Sequence, residues 1–472
     1  MTTLSDDRRW LALIILCLGD LMIVLDSTVV NVALPSIKAD LGFSETTLVW
    51  VVNAYLLTYG GLLLLGGRLG DYYGNRRLYL IGVVLFTLAS LGCGLAQTQP
   101  MLIVARAIQG IGGAIVSAVA LALIMNMFTD DADRAKAMGI FGFVMAGGGS
   151  IGVLLGGLIT GAFSWHWIFL INIPVGILVY ILSIMLITPD AGRANGRLDI
   201  AGAATITLSL MLAVYAIVNG NETGWLAGQT VIMLISSVLL LVIFLLIESR
   251  VKDPLMPLTL FRLRNVSVSN VISVLWAAAM FAWFFISALY LQQVLGYTPM
   301  QVGLAFLPSN LIMAAFSLGL SARVVMRFGL RLPIVIGLTL SAIGLGLFSV
   351  SPVDGSFMLH VLPGMLLLGI GTGLALNPVL LAAMSDVGPE ESGLASGVVN
   401  TAFMMGGAVG LAVLASMAGV ITGELLAGGA GTAEALNGGY QLAFLLGALC
   451  AAIGAILGVL LRPGQTQEGA IH

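Results

Sequence analysis

Long apolar runs, each about the length that crosses a bilayer, recur along this chain with polar breaks between them. A helix needs about 20 mostly apolar residues to span the hydrocarbon core. Runs of that kind are read at 11–34, 47–67, 78–96, 101–125, 137–161 and 168–188, then at 200–218 and 229–248. Six more follow at 266–291, 301–322, 332–351, 357–384, 395–421 and 440–461. In lipid a backbone must satisfy its own hydrogen bonds, and a helix does so within one segment. The pattern therefore predicts an all-α membrane protein with fourteen transmembrane helices. Composition agrees: 59% of residues are hydrophobic and 9% charged, where a soluble domain carries about 25% charged residues. The first run, Trp10 to Leu34, is too long for the apolar region of a cleavable signal peptide and is read as the first span.

The basic residues set an orientation. With the N-terminus in the cytoplasm and fourteen spans, Lys38 alone of the 19 Lys and Arg residues falls outside, Arg106 alone lies within a span, and the rest face inward. That is the asymmetry expected of cytoplasmic loops, and it puts both termini inside. A net charge of −3 gives no ground for a nucleic-acid partner. Cys17, Cys93 and Cys450 lie in apolar stretches without CxxC spacing, which argues against a disulfide framework or a zinc or iron–sulfur site. There is no Walker A loop and no HExxH, so neither ATP, metal nor other cofactor is expected. Gly148-Gly149-Ser150-Ile151-Gly152 matches GxSxG, but that elbow needs a strand-to-helix turn and a histidine partner; inside an apolar span it is a chance match, and no catalytic residue is assigned.

The chain repeats itself. Gly74, Arg76 and Gly82 recur as Gly329, Arg331 and Gly337, a constant offset of 255 residues, and Leu41-Gly42-Phe43-Ser44 resembles Leu295-Gly296-Tyr297-Thr298. Two six-span halves in the same order are implied: an N-terminal bundle over 1–190 and a C-terminal bundle over 251–472, with a two-helix insertion over 191–250. Parallel repeats of this kind suggest two bundles rocking about a central site.

Ionisable groups in hydrocarbon cost at least about 2.5–3.5 kcal/mol at mid-span, so each needs a reason. Asp20, Asp26 and Arg106 qualify. Asp26 lies in the outer half of span 1, and Arg106 lies a few residues inside the outer end of span 4, at similar depth. A carboxyl buried alone holds its proton tightly, and a guanidinium brought near it reverses that. Two readings follow: Asp26 takes up a proton from outside with Arg106 tuning it, which is preferred, or the two form a static lock. Asp20 is six residues away, about 9 Å along the helix and roughly 240° around it, so the carboxylates are not expected to share a face. Asp20 meets either a cationic substrate or a neighbouring helix. The glycines Gly148, Gly152, Gly156 and Gly157 of span 5 let another helix approach closely, either as a sliding contact between halves or as plain packing. Trp276, Trp283 and Phe284 of span 9 are candidate contacts for flat, greasy ligands, with a lipid-facing role slightly favoured.

GGRLGDYYGNRR (Gly66–Arg77) resembles the cytoplasmic signature loop of the major facilitator superfamily. LDSTVVNVALP (Leu25–Pro35), RAIQG (Arg106–Gly110), WIFLINIPVG (Trp167–Gly176), LDIAG (Leu198–Gly202) and LQQVLGY (Leu291–Tyr297) resemble the fourteen-span drug:proton antiporters of EmrB/QacA type. The likeness runs through most of the chain. It implies the major facilitator fold and proton-coupled efflux of hydrophobic or cationic amphipathic compounds by alternating access. It also implies a bacterial inner-membrane location and a monomer working among membrane lipids. By the same resemblance Gly67, Asp71, Gly74 and Arg76 form a cytoplasmic gate, with Asp71 pairing to a basic residue or helix N-terminus, an interaction of about 0.3–1 kcal/mol. The second copy has Met326 in place of Asp71, so the latch acid occurs once. Val153 follows Gly152 where the antiporter pattern has a proline, as in a mycobacterial-type branch whose members suggest lipid-like cargo. His166 stands where relatives have arginine and is read as a surface residue. The alternatives are a lipid or lipophilic-metabolite transporter on the same scaffold and, less favoured, a membrane-embedded lipid-modifying enzyme.

Overall fold

The computed structural model describes residues 6–128, 130–188, 199–251, 254–316, 320–387 and 392–462. Among them every regular element is helical. The N-terminal series is α1 (Asp6–Leu41), α2 (Trp50–Tyr73), α3 (Asn75–Gly94), α4 (Gln99–Met127), α5 (Asp131–Ala162), the short α6 (Trp167–Leu170) and α7 (Asn172–Leu186). A hairpin follows, α8 (Ile200–Thr223) and α9 (Gly228–Arg250). The C-terminal series is α10 (Arg264–Leu289), α11 (Pro299–Ala315), α12 (Ser321–Phe328), α13 (Arg331–Phe348), α14 (Leu362–Met384), α15 (Ser392–Ala427) and α16 (Thr432–Gly458). Among the described residues twelve helical segments are long and apolar enough to cross a membrane, and two shorter apolar helices, Ile151–Ala162 and Pro299–Ala315, occupy the fifth and tenth places in the series.

Prolines explain where the helices depart from the apolar runs. The sequence ends the first span at Leu34 because Pro35 follows, yet α1 continues to Leu41. Proline removes one backbone donor, here the bond to the carbonyl of residue 31, and otherwise has helical φ. The opposite outcome falls at Pro174, three residues past Ile171, where α6 and α7 are separate helices. π-helical turns at Tyr290–Val294 and Phe357–Val361 extend the ninth and twelfth spans.

The chain divides into two compact units. One comprises 1–44, 50–211 and 237–255; the other comprises 45–49, 212–236 and 256–472. The hairpin α8–α9 is therefore shared between them. In the first unit Ser209 donates to the Ser237 carbonyl at 2.8 Å. In the second Ser416 on α15 donates to the Ile217 carbonyl at 3.1 Å. Only 17% of the apolar window of α9 is buried, against 78% for α2, so α9 presents most of its surface to the surroundings.

The internal repeat is visible in the backbone. Gly42 and Gly296 have φ of +69° and +72°, and Gly74 and Gly329 have +92° and +72°, a region that side-chain-bearing residues rarely enter. Helix packing repeats too. A Cβ on Gly112 of α4 would stand 3.0 Å from the Gly82 carbonyl oxygen on α3, and one on Gly371 of α14 would stand 2.5 Å from the Gly337 carbonyl oxygen on α13. Each unit thus has a glycine-to-glycine crossing at the same place in its series.

Candidate proton-coupling site in the first unit

Asp26 on α1 and Arg106 on α4 are both buried, 3% and 1% exposed, and the Arg106 guanidinium donates directly to Asp26 Oδ2. Two amides complete the carboxylate. Gln109 Nε2 donates to Asp26 Oδ1 at 2.7 Å, and Asn172 Nδ2 donates to the same oxygen at 2.9 Å. Both amides also donate to Ser90 Oγ on α3, at 2.6 and 3.2 Å. On the arginine side, Nε donates to the Val51 carbonyl at 3.0 Å and Nη1 to Gln109 Oε1 at 2.7 Å. The guanidinium lies over Tyr55, 4.4 Å from the ring centroid, and 5.6 Å from that of Phe169. A buried ion pair is tolerated only where its remaining hydrogen-bonding positions are filled, and here groups on α2, α4 and α7 bond to it.

Local sequence explains the convergence. Arg106 and Gln109 are three apart on α4 and so share a face. Gly110 brings α2 close, since a Cβ there would lie 2.5 Å from the Tyr55 carbonyl oxygen. Thr58 Oγ1 on α2 donates to the Ala107 carbonyl at 2.8 Å. Asn172 opens α7 just past the break at Ile171, which turns its side chain into the network.

Asp20 is fully buried on α1, and Ser117 Oγ on α4 donates to its Oδ1 at 2.6 Å. Asp20 thus meets a neighbouring helix, and it is the same helix, α4, that meets Asp26. A rotation of roughly 240° is 120° the short way, so two side chains set about 60° either side of a helix–helix midline can both meet the same neighbour. The span-5 glycines Gly148, Gly152 and Gly156 close against α1 of the same unit. Their Cβ positions lie 2.8 Å from Leu21 Cδ1, 1.9 Å from Thr28 Oγ1 and 2.7 Å from the Val29 carbonyl oxygen. Gly157 is buried beside them. These three contacts are close packing within one unit.

Trp276, Trp283 and Phe284 lie in the interior of the second unit, 2%, 1% and 8% exposed, and not toward lipid. Trp276 packs edge-on against Phe403, and Phe284 stacks on Phe306 with centroids 5.5 Å apart. Trp283 Nε1 makes no hydrogen bond. Of the gate residues, Asp71 is exposed on the last turn of α2, Gly74 precedes α3, a Cβ on Gly67 would stand 3.9 Å from Ala118 Cβ, and Arg76 donates to the Ile184 carbonyl at 2.7 Å. Trp165 Nε1 donates to Asp40 at 2.9 Å and stacks on His166, which is half-buried. Among the described residues no group of three or more Cys, His, Asp or Glu could hold a metal ion.

Sequence reasoning missed Ser90, Gln109 and Asn172 as members of the Asp26 site. Gln109 and Asn172 stand in the RAIQG and INIP stretches, and Gln109 lies one helical turn from Arg106, the one weak signal that pointed to it.

A bundle of apolar helices that holds a buried, hydrogen-bonded acid–guanidinium pair fits the class of membrane transport proteins. Residues 16–411 match the Major Facilitator Superfamily, and the chain belongs to that family of transporters. It is 39% identical over 472 residues to the puromycin resistance protein pur8 of Streptomyces alboniger, covering 98% of this chain and 93% of that one. It is 36% identical over 467 residues to the cephamycin export protein CmcT of Amycolatopsis lactamdurans, covering 98% and 94%. The solved structures it resembles include the inward-open xylose transporter XylE from E. coli, with TM-score 0.65, 16% identity and 98% of each chain covered. Another is a peptide transporter of the POT family, with TM-score 0.67, 14% identity and coverage of 94% and 96%. At such identities these two bear on the fold alone.

Proposed function

We propose that this protein exports hydrophobic or cationic amphipathic compounds, antibiotics among them, by alternating access driven by inward proton flow. The supporting observation is the Asp26–Arg106 pair, with its amide ring, in a chain whose relatives are named for antibiotic resistance and export. On this reading fourteen helices cross the inner membrane of a bacterial cell with both termini cytoplasmic, and the protein acts as a monomer. Residues 1–190 and 251–472 form the two rocking bundles, with 191–250 as the insertion. A proton arriving from outside neutralises Asp26, loosens its hold on Arg106 and permits one arrangement of the halves; its release to the inside restores the pair. Asp71, with Gly67, Gly74 and Arg76, serves as the cytoplasmic latch. Trp276, Trp283 and Phe284 supply aromatic surface for cargo once α10 exposes them.

The test is transport in proteoliposomes with an imposed pH gradient and a panel of dyes, antibiotics and lipids. Asp26→Asn is expected to abolish gradient-driven efflux while leaving downhill exchange of cargo intact. Gradient-driven efflux at the wild-type rate in that variant would remove the coupling site.

One observation favours a second reading, in which the cargo is a lipid or lipophilic metabolite. An apolar groove of about 540 Å³ runs along α3 and α4, lined by Leu88, Gly92, Met101, Val104 and Ile108 among others. Lipid competing with dye in the same assay would support it.

A further inference from the structure

A single stripe of α4 joins the two acidic residues of α1. Gln109, Gly113 and Ser117 are spaced four apart on α4 and so lie one above another. Gln109 holds Asp26 at one end, and Ser117 holds Asp20 at the other. Between them Gly113 leaves room for two tyrosines of α2: a Cβ there would stand 3.2 Å from Tyr55 Oη and 3.2 Å from Tyr59 Cδ2. Tyr55 and Tyr59 stack with centroids 5.7 Å apart, and the Tyr59 hydroxyl interacts with Ser117. Tyr55 Oη makes no hydrogen bond, although the residue is 2% exposed.

The two carboxyls have opposite surroundings. Asp26 has a guanidinium and two amide donors. Asp20 has one hydroxyl donor, and its Oδ2 is buried with no partner. The titratable groups around Asp20 are Cys17 on its own helix, Tyr55 and Tyr59 on α2 and Tyr79 on α3, whose hydroxyl also lacks a partner. From α5 and α7 the nearby packing on α1 is apolar or glycine: Gly148 meets Leu21 and Val24, and Val179 meets Gly19. Among the described residues no lysine, arginine or histidine reaches Asp20. An isolated charge buried without a partner is far more costly than the same group made neutral.

We propose that Asp20 is a second proton-binding site on the α4 stripe that also holds Asp26, with Tyr55 and Tyr59 packed between the two, and not a contact for cationic cargo. This rests on the reading of Asp26 as the entry site. The step is a proton transfer: the O–H bond at Asp26 breaks and one forms at Asp20 Oδ2. Afterwards Asp26 is a carboxylate held by Arg106, Gln109 and Asn172, and Asp20 is neutral among phenols. The hydrogen bonds described above suit that state at both ends. Two stations in series let the entry site return to its ion pair before the proton leaves on the cytoplasmic side.

The experiment is infrared difference spectroscopy of the full-length protein in nanodiscs, between acid and alkaline buffer. Two carboxylic-acid bands are expected in the wild type, one lost in Asp26→Asn and the other in Asp20→Asn, with binding of a cationic dye unchanged in the latter. An Asp20→Asn spectrum identical to wild type, or loss of dye binding with the band retained, overturns the inference while leaving Asp26 as entry site. If Asp26→Asn removes no band, the underlying reading fails and this one with it. Should Asp20→Asn not fold, Ser117→Ala deletes only the donor. It should move the pH midpoint of the Asp20 band and not that of the Asp26 band; an unmoved midpoint counts against the site.

Discussion

Gln109 and Asp26 are tied by a 2.7 Å bond from the amide nitrogen to Oδ1, while the amide oxygen of the same Gln109 accepts from Arg106 at 2.7 Å. One side chain therefore touches both members of the ion pair, and its two ends carry the complementary polarity each requires. Replacing it with leucine keeps the volume and removes both bonds. Hydrogen bonds to charged groups contribute about 1.5–3 kcal/mol, and one pH unit of midpoint corresponds to about 1.4 kcal/mol. Gln109→Leu is expected to move the pH midpoint of gradient-driven efflux by about one to two units. A profile that overlies the wild type would show the amide to be mere filling.

The packing of α5 on α1 gives a test with its own control. A methyl on Gly156 would meet the Val29 carbonyl oxygen at 2.7 Å, and backbone cannot swing aside as a side chain can; a methyl on Gly149 meets nothing within 4 Å. Overpacking costs about 1–3 kcal/mol. Gly156→Ala should therefore lower the thermal unfolding midpoint in detergent clearly, and Gly149→Ala should leave it where it is. Equal effects at both positions would mean that α5 does not seat on α1 as described.

Much of this was legible in the residues, and the reasons for the gaps are physical. Apolar run length located nearly every helix, because hydrocarbon thickness fixes it. The repeat pairs Gly42 with Gly296 and Gly74 with Gly329, all at positive φ, because a backbone conformation that favours glycine leaves a mark in sequence. Asp26 and Arg106 stood out as charges in oil, and depth alone suggested that they meet. Gln109, Asn172 and Ser90 did not stand out, because a polar uncharged residue in a span is cheap enough to be common. The helical offset separating Asp20 from Asp26 did not reveal that both meet α4, since angle around one helix does not say how widely its neighbour reaches. Nor did aromatic clustering in span 9 tell interior from lipid: both environments are apolar, and only packing separates them.

Asp71 offers a functional test that stability does not confound. The residue is exposed on the last turn of α2, and exposed substitutions usually change stability by less than about 0.5 kcal/mol. As a latch to a helix terminus its charge contributes about 0.3–1 kcal/mol, a factor of about two to five in the balance between arrangements of the halves. Asp71→Asn is expected to slow efflux by that factor with an unchanged unfolding midpoint. A wild-type rate would remove Asp71 from the gate.

Arg106 and Asp26 can be separated from each other by a double-mutant cycle. Arg106→Ala leaves a buried carboxylate with only amide donors, and stranding one member of such a pair typically costs about 3–5 kcal/mol. Asp26→Asn alone strands the guanidinium, though the Val51 carbonyl, the Gln109 amide oxygen and the Tyr55 ring still hold it; its cost should be smaller. In the double variant neither charge remains, so the second substitution should recover most of what Arg106→Ala lost. Unfolding midpoints of the four proteins at neutral pH measure the coupling. At a pH low enough to protonate Asp26 in Arg106→Ala, that variant should approach the double variant, because the stranded charge is gone. If the two lost stabilities simply add at both pH values, the residues act independently, and the exchange of a proton between pair and carboxyl loses its physical basis.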